Sequence, residues 1–120
     1  MLHEIKGARQ VLGESRRRWF TSENFDLIVW YDEDGGINGF QLCYDKSAGE
    51  HALTWKRERG FIHESIDDGE TAGKSKMTPV LLADGAFDSQ RVKTRLRAEI
   101  ADIDPDIARF VLDTMDTYPV

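Results

Sequence analysis

The chain has 120 residues, of which 40% are hydrophobic and 32% charged, and a formal net charge of −6. That length fits one hydrophobic core, and the composition excludes both a disordered chain and a membrane span, which needs an apolar run of about 20 residues. The acidic balance argues against duplex nucleic acid as a partner, because duplex affinity comes mainly from Lys and Arg that neutralise phosphates.

The charge is unevenly spread along the chain. Residues 61–120 carry 12 acidic and 7 basic side chains, whereas residues 1–60 carry 10 and 9. The N-terminal MLHEIKGARQ lacks the apolar segment of a secretory signal, and Cys43 is the only cysteine, so no internal disulfide can form. We therefore expect a cytoplasmic protein that contacts no membrane.

The first elements along the chain are predicted to be strands. LHEIKGARQVL favours a short strand near the start, and RRRWF (16–20) predicts a second strand that turns through TSEN into Phe25. The next stretch, LIVWYDEDGGINGFQLCYDK, predicts a hairpin with Asp34-Gly35 as a two-residue turn. In that register Val29 lies opposite Phe40, so apolar residues meet on one face.

The acidic run DEDGG at the centre of this hairpin has two interpretations. As a turn, Asp34 and Gly35 supply the positive φ that a primed two-residue turn needs. As a calcium loop, the run would need Glu at its twelfth position, which is Cys43. We adopt the turn and expect no metal site.

A third strand continues the same face. With KSAG (46–49) as a four-residue connection, Leu42 lies opposite Leu53 and Tyr44 lies opposite His51. The three strands then share one apolar face, formed by Leu27, Val29, Tyr31, Phe40, Leu42, Tyr44, Leu53 and Trp55.

The chain changes in character after the third strand. IHESI (62–66) predicts one more strand, and ETAGKSKMTP (70–79) is a polar loop without periodicity, which we expect to be the most mobile region. Apolar residues at helical spacing then predict two helices, the first capped by Asp88 or Ser89 and the second beginning at Asp104-Pro105. Their apolar positions are Val92, Leu96, Ile100 and Ile103 in the first helix and Ile107, Phe110, Val111 and Met115 in the second.

These elements predict an α+β fold, in which an antiparallel β-meander sheet of about five to six strands carries a C-terminal helical hairpin packed on one face. We expect a single domain over residues 1–120. The sheet would occupy 1–66, a loop 67–86 and the two helices 87–118.

The sheet face opposite the helices is the first candidate site. Ile28, Trp30 and Trp19 should point away from the apolar face, and the helical hairpin leaves no predicted element to cover them. Exposed tryptophans on a sheet usually mark contact surfaces, so we expect a protein partner or a second copy of the chain there.

Basic and aromatic residues lie together in RRRWF and WKRERGF. Arg17 beside Trp19, and Arg57 and Arg59 before Phe61, combine guanidinium groups with stacking rings, as sites for anionic small molecules and single-stranded nucleic acid do. Charged residues also keep edge strands from aggregating. Both interpretations stay open, and an anionic small molecule fits the net charge better than a long nucleic acid.

The residues that could support catalysis are Cys43, Asp45, His51 and His63. A cysteine nucleophile needs a base within hydrogen-bonding reach, but the register places Cys43 and His51 on opposite faces. The chain has no Gly-rich phosphate loop, nucleophile elbow or zinc-type spacing. We therefore expect no catalytic residues and no cofactor.

The segments YDEDGGINGFQLCYDK and HALTWKRERGF resemble a family of small bacterial proteins of unknown function, and the resemblance covers residues 15–66. It implies a protein of the bacterial cytosol. It assigns no functional residue, because the shared positions are those of hairpins and core.

The sequence thus predicts a small cytosolic, non-enzymatic binding or protein-interaction module that uses the sheet face not covered by helices. The alternative is a small enzyme or anionic-ligand-binding protein that uses the Arg/aromatic clusters with His51 and His63. A concave site with convergent polar groups would favour the alternative, and a flat apolar face would favour the interaction module.

Overall fold

The computed structural model describes residues 1–5, 16–46, 49–65, 82–83 and 88–118. The strands of this part of the chain are β1 (His3–Glu4), β2 (Arg16–Thr21), β3 (Phe25–Tyr31), β4 (Ile37–Tyr44), β5 (His51–Lys56), β6 (Gly60–Ser65) and β7 (Leu82–Ala83). The helices are α1 (Ser89–Glu99) and α2 (Pro105–Met115), joined through a 3-10 turn (Ile100–Asp102).

The sheet is an antiparallel meander in which each strand pairs with the next along the chain, from β1 to β7. The two predicted registers are confirmed, since Val29 lies opposite Phe40 and Leu42 lies opposite Leu53. The β3–β4 register holds from Phe25 to Trp30 and shifts by one residue at Tyr31, which lies opposite Ile37. The two-residue strands β1 and β7 lie at the edges, so the longer strands β2 to β6 form the body of the sheet. This is the α+β meander that the sequence predicts.

The turn between β3 and β4 differs from the predicted two-residue turn. The Gly35 N–H donates to the Asp32 carbonyl at 3.0 Å, and the Asp32 N–H donates to the Gly36 carbonyl at 2.7 Å. Gly35 has a φ of +89°, whereas Asp34 has no positive φ. The loop therefore has three residues and ends in a glycine bulge, because both primed two-residue turns would need a positive φ at Asp34, the first central position.

One face of the sheet and both helices share a hydrophobic core. Its fully buried strand residues include Phe20, Phe25, Leu27, Val29, Phe40, Leu42 and Leu53. The helices bury the predicted positions Val92, Leu96, Ile107, Val111 and Met115. Ile100 and Ile103, predicted in the first helix, are buried too, but they lie in and just after the 3-10 turn, because α1 ends at Glu99. Phe110 is half-buried and packs edge-on against Trp55, with ring centroids 5.5 Å apart. Burial of each such large side chain contributes about 1.5–3 kcal/mol, which fixes the helices on this face.

Both helices begin at the predicted capping residues. The Asp88 carboxylate accepts from the Arg91 N–H at 3.2 Å, and the Asp104 carboxylate accepts from the Asp106 N–H at 2.9 Å. Pro105 occupies the first turn of α2, where its missing N–H costs no helical hydrogen bond. Each cap is worth about 1 kcal/mol and fixes where the helix starts.

The segment predicted as a loop, 67–86, contains the strand β7, which pairs with β6. Two residues carry no periodicity, so sequence reasoning had no signal for this strand. The polar segment 70–79 lies outside the described residues, and its mobility stays a prediction.

Candidate functional site

The second face, which we define as the sheet face opposite the helices, presents its side chains in three rows across the strands. The first row, nearest the β3–β4 turn, contains Arg17, Trp30, Gly39 and Lys56. The middle row contains Trp19, Ile28, Gln41, Thr54 and Ile62. The third row contains Thr21, Asp26, Cys43, Ala52 and Glu64.

The first row depends on a glycine. A Cβ atom at Gly39 would lie 2.6 Å from the Trp55 carbonyl oxygen, so only glycine allows β4 and β5 to approach this closely. The bare backbone at Gly39 also lets the Lys56 side chain cross β4, and its Nζ lies 4.5 Å from the centroid of the Trp30 ring. This geometry is a cation–π contact, which holds the ammonium group over the face.

The apolar residues of the second face are less exposed than the sequence predicts. Trp19, Ile28 and Trp30 are all half-buried, because neighbours on adjacent strands flank each of them. In the described part of the chain, the exposed large apolar side chains are Met1 and Ile5. The Trp19 indole N–H is buried without a hydrogen-bond acceptor, which is an unfavourable state for a polar group.

The far end of the second face is acidic. The Lys46 ammonium group lies 3.0 Å from the Asp26 carboxylate and also donates to the Ser22 carbonyl. Burial raises the pKa of Glu64, and burial together with the nearby Asp26 charge raises the pKa of Glu50. The ionised form of both glutamates is therefore disfavoured where they stand.

The predicted binding residues Arg57 and Arg59 lie in the β5–β6 turn and not on the second face. The Arg57 guanidinium donates to the Ile37 carbonyl at 2.6 Å and lies 3.7 Å from the Asp32 carboxylate. The Arg59 N–H donates to the Lys56 carbonyl at 3.0 Å. Their hydrogen bonds therefore stabilise the ends of the hairpins.

The RRRWF segment divides between the two faces of the sheet. Arg17 shares the second face with Trp30, its neighbour on β3. Arg18 points to the helix side, where its guanidinium lies 2.7 Å from the Glu4 carboxylate and 3.3 Å from that of Asp104. The structure therefore does not gather the predicted basic residues into one anion site.

A ring cluster lies on the helix side of β4, β5 and β6. The rings of Tyr44, His51 and His63 stack with centroids 5.5–5.9 Å apart and interplanar angles of 8–18°. Tyr44 Oη and His63 Nε2 share a hydrogen bond, and His51 Nδ1–H donates to the Gly49 carbonyl at 2.6 Å. The Arg91 guanidinium lies 5.9 Å from the Tyr44 ring.

The other residues considered for catalysis do not join the histidines in a dyad. The Asp45 carboxylate binds both terminal nitrogens of the Arg91 guanidinium, at 3.0 and 3.2 Å. Cys43 lies on the second face, opposite the histidines, as the register predicts. Burial raises the pKa of the Cys43 thiol to about 12, so the thiolate is not formed near neutral pH.

Two open cavities lie on the helix side and meet at Asp106, which lines both. One has a volume of about 910 Å³ and is lined by residues that include Arg16, Tyr31, Glu33 and Ile107. The other has a volume of about 460 Å³ and lies beside Trp55 and Phe110. The sequence analysis did not predict either cavity. The lengths of the elements gave a signal for them, because 11-residue helices span about 16 Å and cannot cover the roughly 25 Å of the longest strands.

Within the residues that the structure describes, no three His, Cys, Asp or Glu side chains are grouped as ligands for a metal ion. No helix in that part of the chain is long and apolar enough to cross a membrane.

A scan with protein-family models finds no matching family, and searches against curated proteins and solved structures find no match. The resemblance to small bacterial proteins stays a prediction.

Proposed function

We propose that the protein is a non-enzymatic interaction module that binds a partner protein through the second face. The observation that carries this proposal is the contiguous placement of Trp19, Ile28 and Trp30 on a five-strand face that neither α1 nor α2 covers. Half-exposed aromatic side chains on a sheet face that also carries charged residues are typical of residues that contribute most to protein–protein binding.

The chemistry of the remaining residues supports a binding role over catalysis. Cys43 is buried as a thiol, and Asp45 is committed to Arg91. The larger cavity on the helix side, lined by charged side chains that include Arg16, Glu33 and Asp106, instead meets the criterion for the alternative function. The lone cysteine and the resemblance over residues 15–66 support the bacterial cytoplasm as the location of the proposed module.

Affinity capture with matched variants tests the proposal. The parent protein, Trp30→Glu and Ile28→Lys would each be immobilised and exposed to a lysate of the source cells, and Arg95→Glu on exposed α1 would serve as the control. We expect one partner to be retained by the parent and the control and lost from both second-face variants, because a charge buried in an apolar interface costs several kcal/mol.

Circular dichroism of each variant would show that the fold is intact before the capture is interpreted. A partner retained equally by all four proteins would contradict the proposal, since the second face would then make no contribution to binding.

A second candidate function is favoured by the ring cluster. Two stacked imidazoles and the Arg91 guanidinium lie near the start of α1, a combination that suits a small anionic ligand or acid–base chemistry on one. Titration with inorganic phosphate, monitored through the NMR signals of His51 and His63, tests this second function. Shifts that saturate and disappear in Arg91→Ala would support this function, and signals that do not move up to millimolar phosphate would exclude it for phosphate.

A further inference from the structure

The two cavities on the helix side form one groove, because Asp106 lines both of them. The groove follows α2 from Asp104 to Thr117, a length of about 20 Å at roughly 1.5 Å per residue. Its other wall is the end of the sheet that carries the β3–β4 turn, with Tyr31 in the larger cavity and Trp55 in the smaller one. A groove of this length can hold an extended segment of about six residues.

Apolar and aromatic side chains line the groove along its whole length. Tyr31, Ile37 and Ile107 line the larger cavity. Trp55 and Phe110 line the smaller cavity, where their rings pack edge-on with centroids 5.5 Å apart. All of these side chains except Ile107 are half-buried, so part of each is left for a ligand to cover. Such a lining suits the body of a ligand that has apolar side chains.

The charges of the groove are predominantly negative. The charged lining residues are Asp32, Glu33, Asp104, Asp106 and Asp113 with Arg16, Arg18 and Arg109. Five carboxylates and three guanidinium groups give these side chains a net charge of −2. Glu33, Asp106 and Asp113 are exposed, and none of them has an ion-pair partner among the described residues. By charge complementarity, the groove therefore favours a cationic ligand over an anionic one.

The larger cavity has the groups that a cationic side chain needs. Glu33 lines it from the β3–β4 turn and Asp106 lines it from the first turn of α2. Tyr31 lines the same cavity, so a cation there would meet two carboxylates and an aromatic ring. Arg18 of the chain itself does not take this position, because its guanidinium is bound by Asp104 and by a second carboxylate.

We propose that this groove binds an extended segment of a partner protein in which a basic and an apolar side chain lie three residues apart. The basic side chain lies between Glu33 and Asp106 in the larger cavity, and the apolar one covers Trp55 and Phe110 in the smaller cavity. The two cavities have centres about 9 Å apart along α2, which is the length of three residues in a polyproline II segment. The groove lies on the helix side, so this site is independent of the second face.

NMR titration of the isotope-labelled protein with two hexapeptides tests the proposal. The peptides are acetyl-Pro-Arg-Pro-Pro-Leu-Pro-amide and acetyl-Pro-Leu-Pro-Pro-Arg-Pro-amide, which present the two side chains in either direction and which proline holds extended. We expect one of them to shift the Glu33 and Asp106 amide signals and the Trp55 indole signal to saturation. The dissociation constant should be about 0.1–1 mM, because a six-residue segment covers much less area than a standard interface.

Changes in the peptide separate the two cavities without altering the protein. Replacing arginine by glutamate, or leucine by glycine, should each weaken binding at least about fivefold, because the first removes the charge contact and the second the apolar contact. In the protein, the double variant Glu33→Lys, Asp106→Lys should prefer the glutamate peptide to the arginine peptide. Asp102→Lys makes the same kind of charge change at an exposed position outside the groove and should keep the parent's preference.

Three results would overturn the proposal. Signals of Glu33, Asp106 and Trp55 that do not move up to about 5 mM of either arginine peptide would show that the groove does not bind this class of segment. Equal affinity of the parent for the arginine and glutamate peptides would show that the carboxylates do not select a cation. Shifts confined to the indole signals of Trp19 and Trp30 would place the peptide on the second face instead.

Discussion

Substitution of Gly39 by alanine tests the close approach of β4 and β5. The new Cβ would lie 2.6 Å from the Trp55 carbonyl oxygen and 3.3 Å from Lys56 Cα, both of them backbone atoms. Because backbone cannot rotate away, β4 and β5 must separate locally, and overpacking of this kind costs about 1–3 kcal/mol. Replacing glycine also lowers the entropy of the unfolded chain, which stabilises the folded protein by about 0.4–1 kcal/mol.

The net expectation is a loss of about 1–2 kcal/mol for Gly39→Ala. Gly39→Val should lose more, since its branched side chain also displaces Lys56 from the Trp30 ring, a contact worth about 0.5–1 kcal/mol. At 120 residues, 1 kcal/mol lowers the melting temperature by about 3–6 °C. Urea titration followed by tryptophan fluorescence, with thermal melts by circular dichroism, would measure both effects.

Gly36→Ala is the matched control for this prediction. A Cβ atom at Gly36 meets only the Asp34 carboxylate, at 3.2 Å, and that side chain can rotate. The control should therefore cost less than Gly39→Ala. If urea titration gives Gly39→Ala a free energy of unfolding within about 0.5 kcal/mol of the parent, β4 and β5 do not approach as closely as described.

Three further results are expected. Asp34→Asn should keep the free energy of unfolding within about 0.5 kcal/mol of the parent, because an amide oxygen can replace the carboxylate that accepts from the Gly36 N–H at 2.9 Å. A calcium-dependent melting temperature in the parent that vanishes in this variant would instead indicate a metal loop. Since burial raises the folded-state pKa of Glu64, its contribution to stability is present at low pH and is lost as pH rises through that pKa. Glu64→Gln should accordingly raise the melting temperature at pH 7 but not at pH 4, and an equal gain at both, or the same gain in Glu58→Gln, would refute this. Iodoacetamide should modify Cys43 at pH 8 at least about 100-fold more slowly in the folded protein than in urea, and equal rates would show that the thiol is accessible and ionisable.

The central hairpins could be predicted because the apolar residues permit one register. A shift of one residue would have turned Val29 and Leu42 toward the second face, and their complete burial confirms the register that pairs them with Phe40 and Leu27. The turn type was predicted wrongly, because Asp-Gly is compatible both with a primed turn and with a three-residue loop that ends in a glycine bulge.

The candidate sites were likewise predicted only in part. Trp19, Ile28 and Trp30 were placed on the second face by alternation alone, but their partial burial depends on neighbours from adjacent strands. The contact of Lys56 with Trp30 was not predicted, because it depends on the β4–β5 spacing at Gly39 as well as on the order of the residues.

By itself the sequence determined the elements that depend on local spacing: the strands that alternate apolar and polar residues, the helices that begin at Asp88 and Asp104, and the face that each residue occupies. Only the tertiary structure decided which residues from distant elements meet. Arg91 reaches Asp45 because the start of α1 lies beside the end of β4. His63 reaches Tyr44 because β4, β5 and β6 pair in one register. Packing sets these contacts, since they depend on the positions of whole helices and strands, which the local pattern of a single segment does not specify.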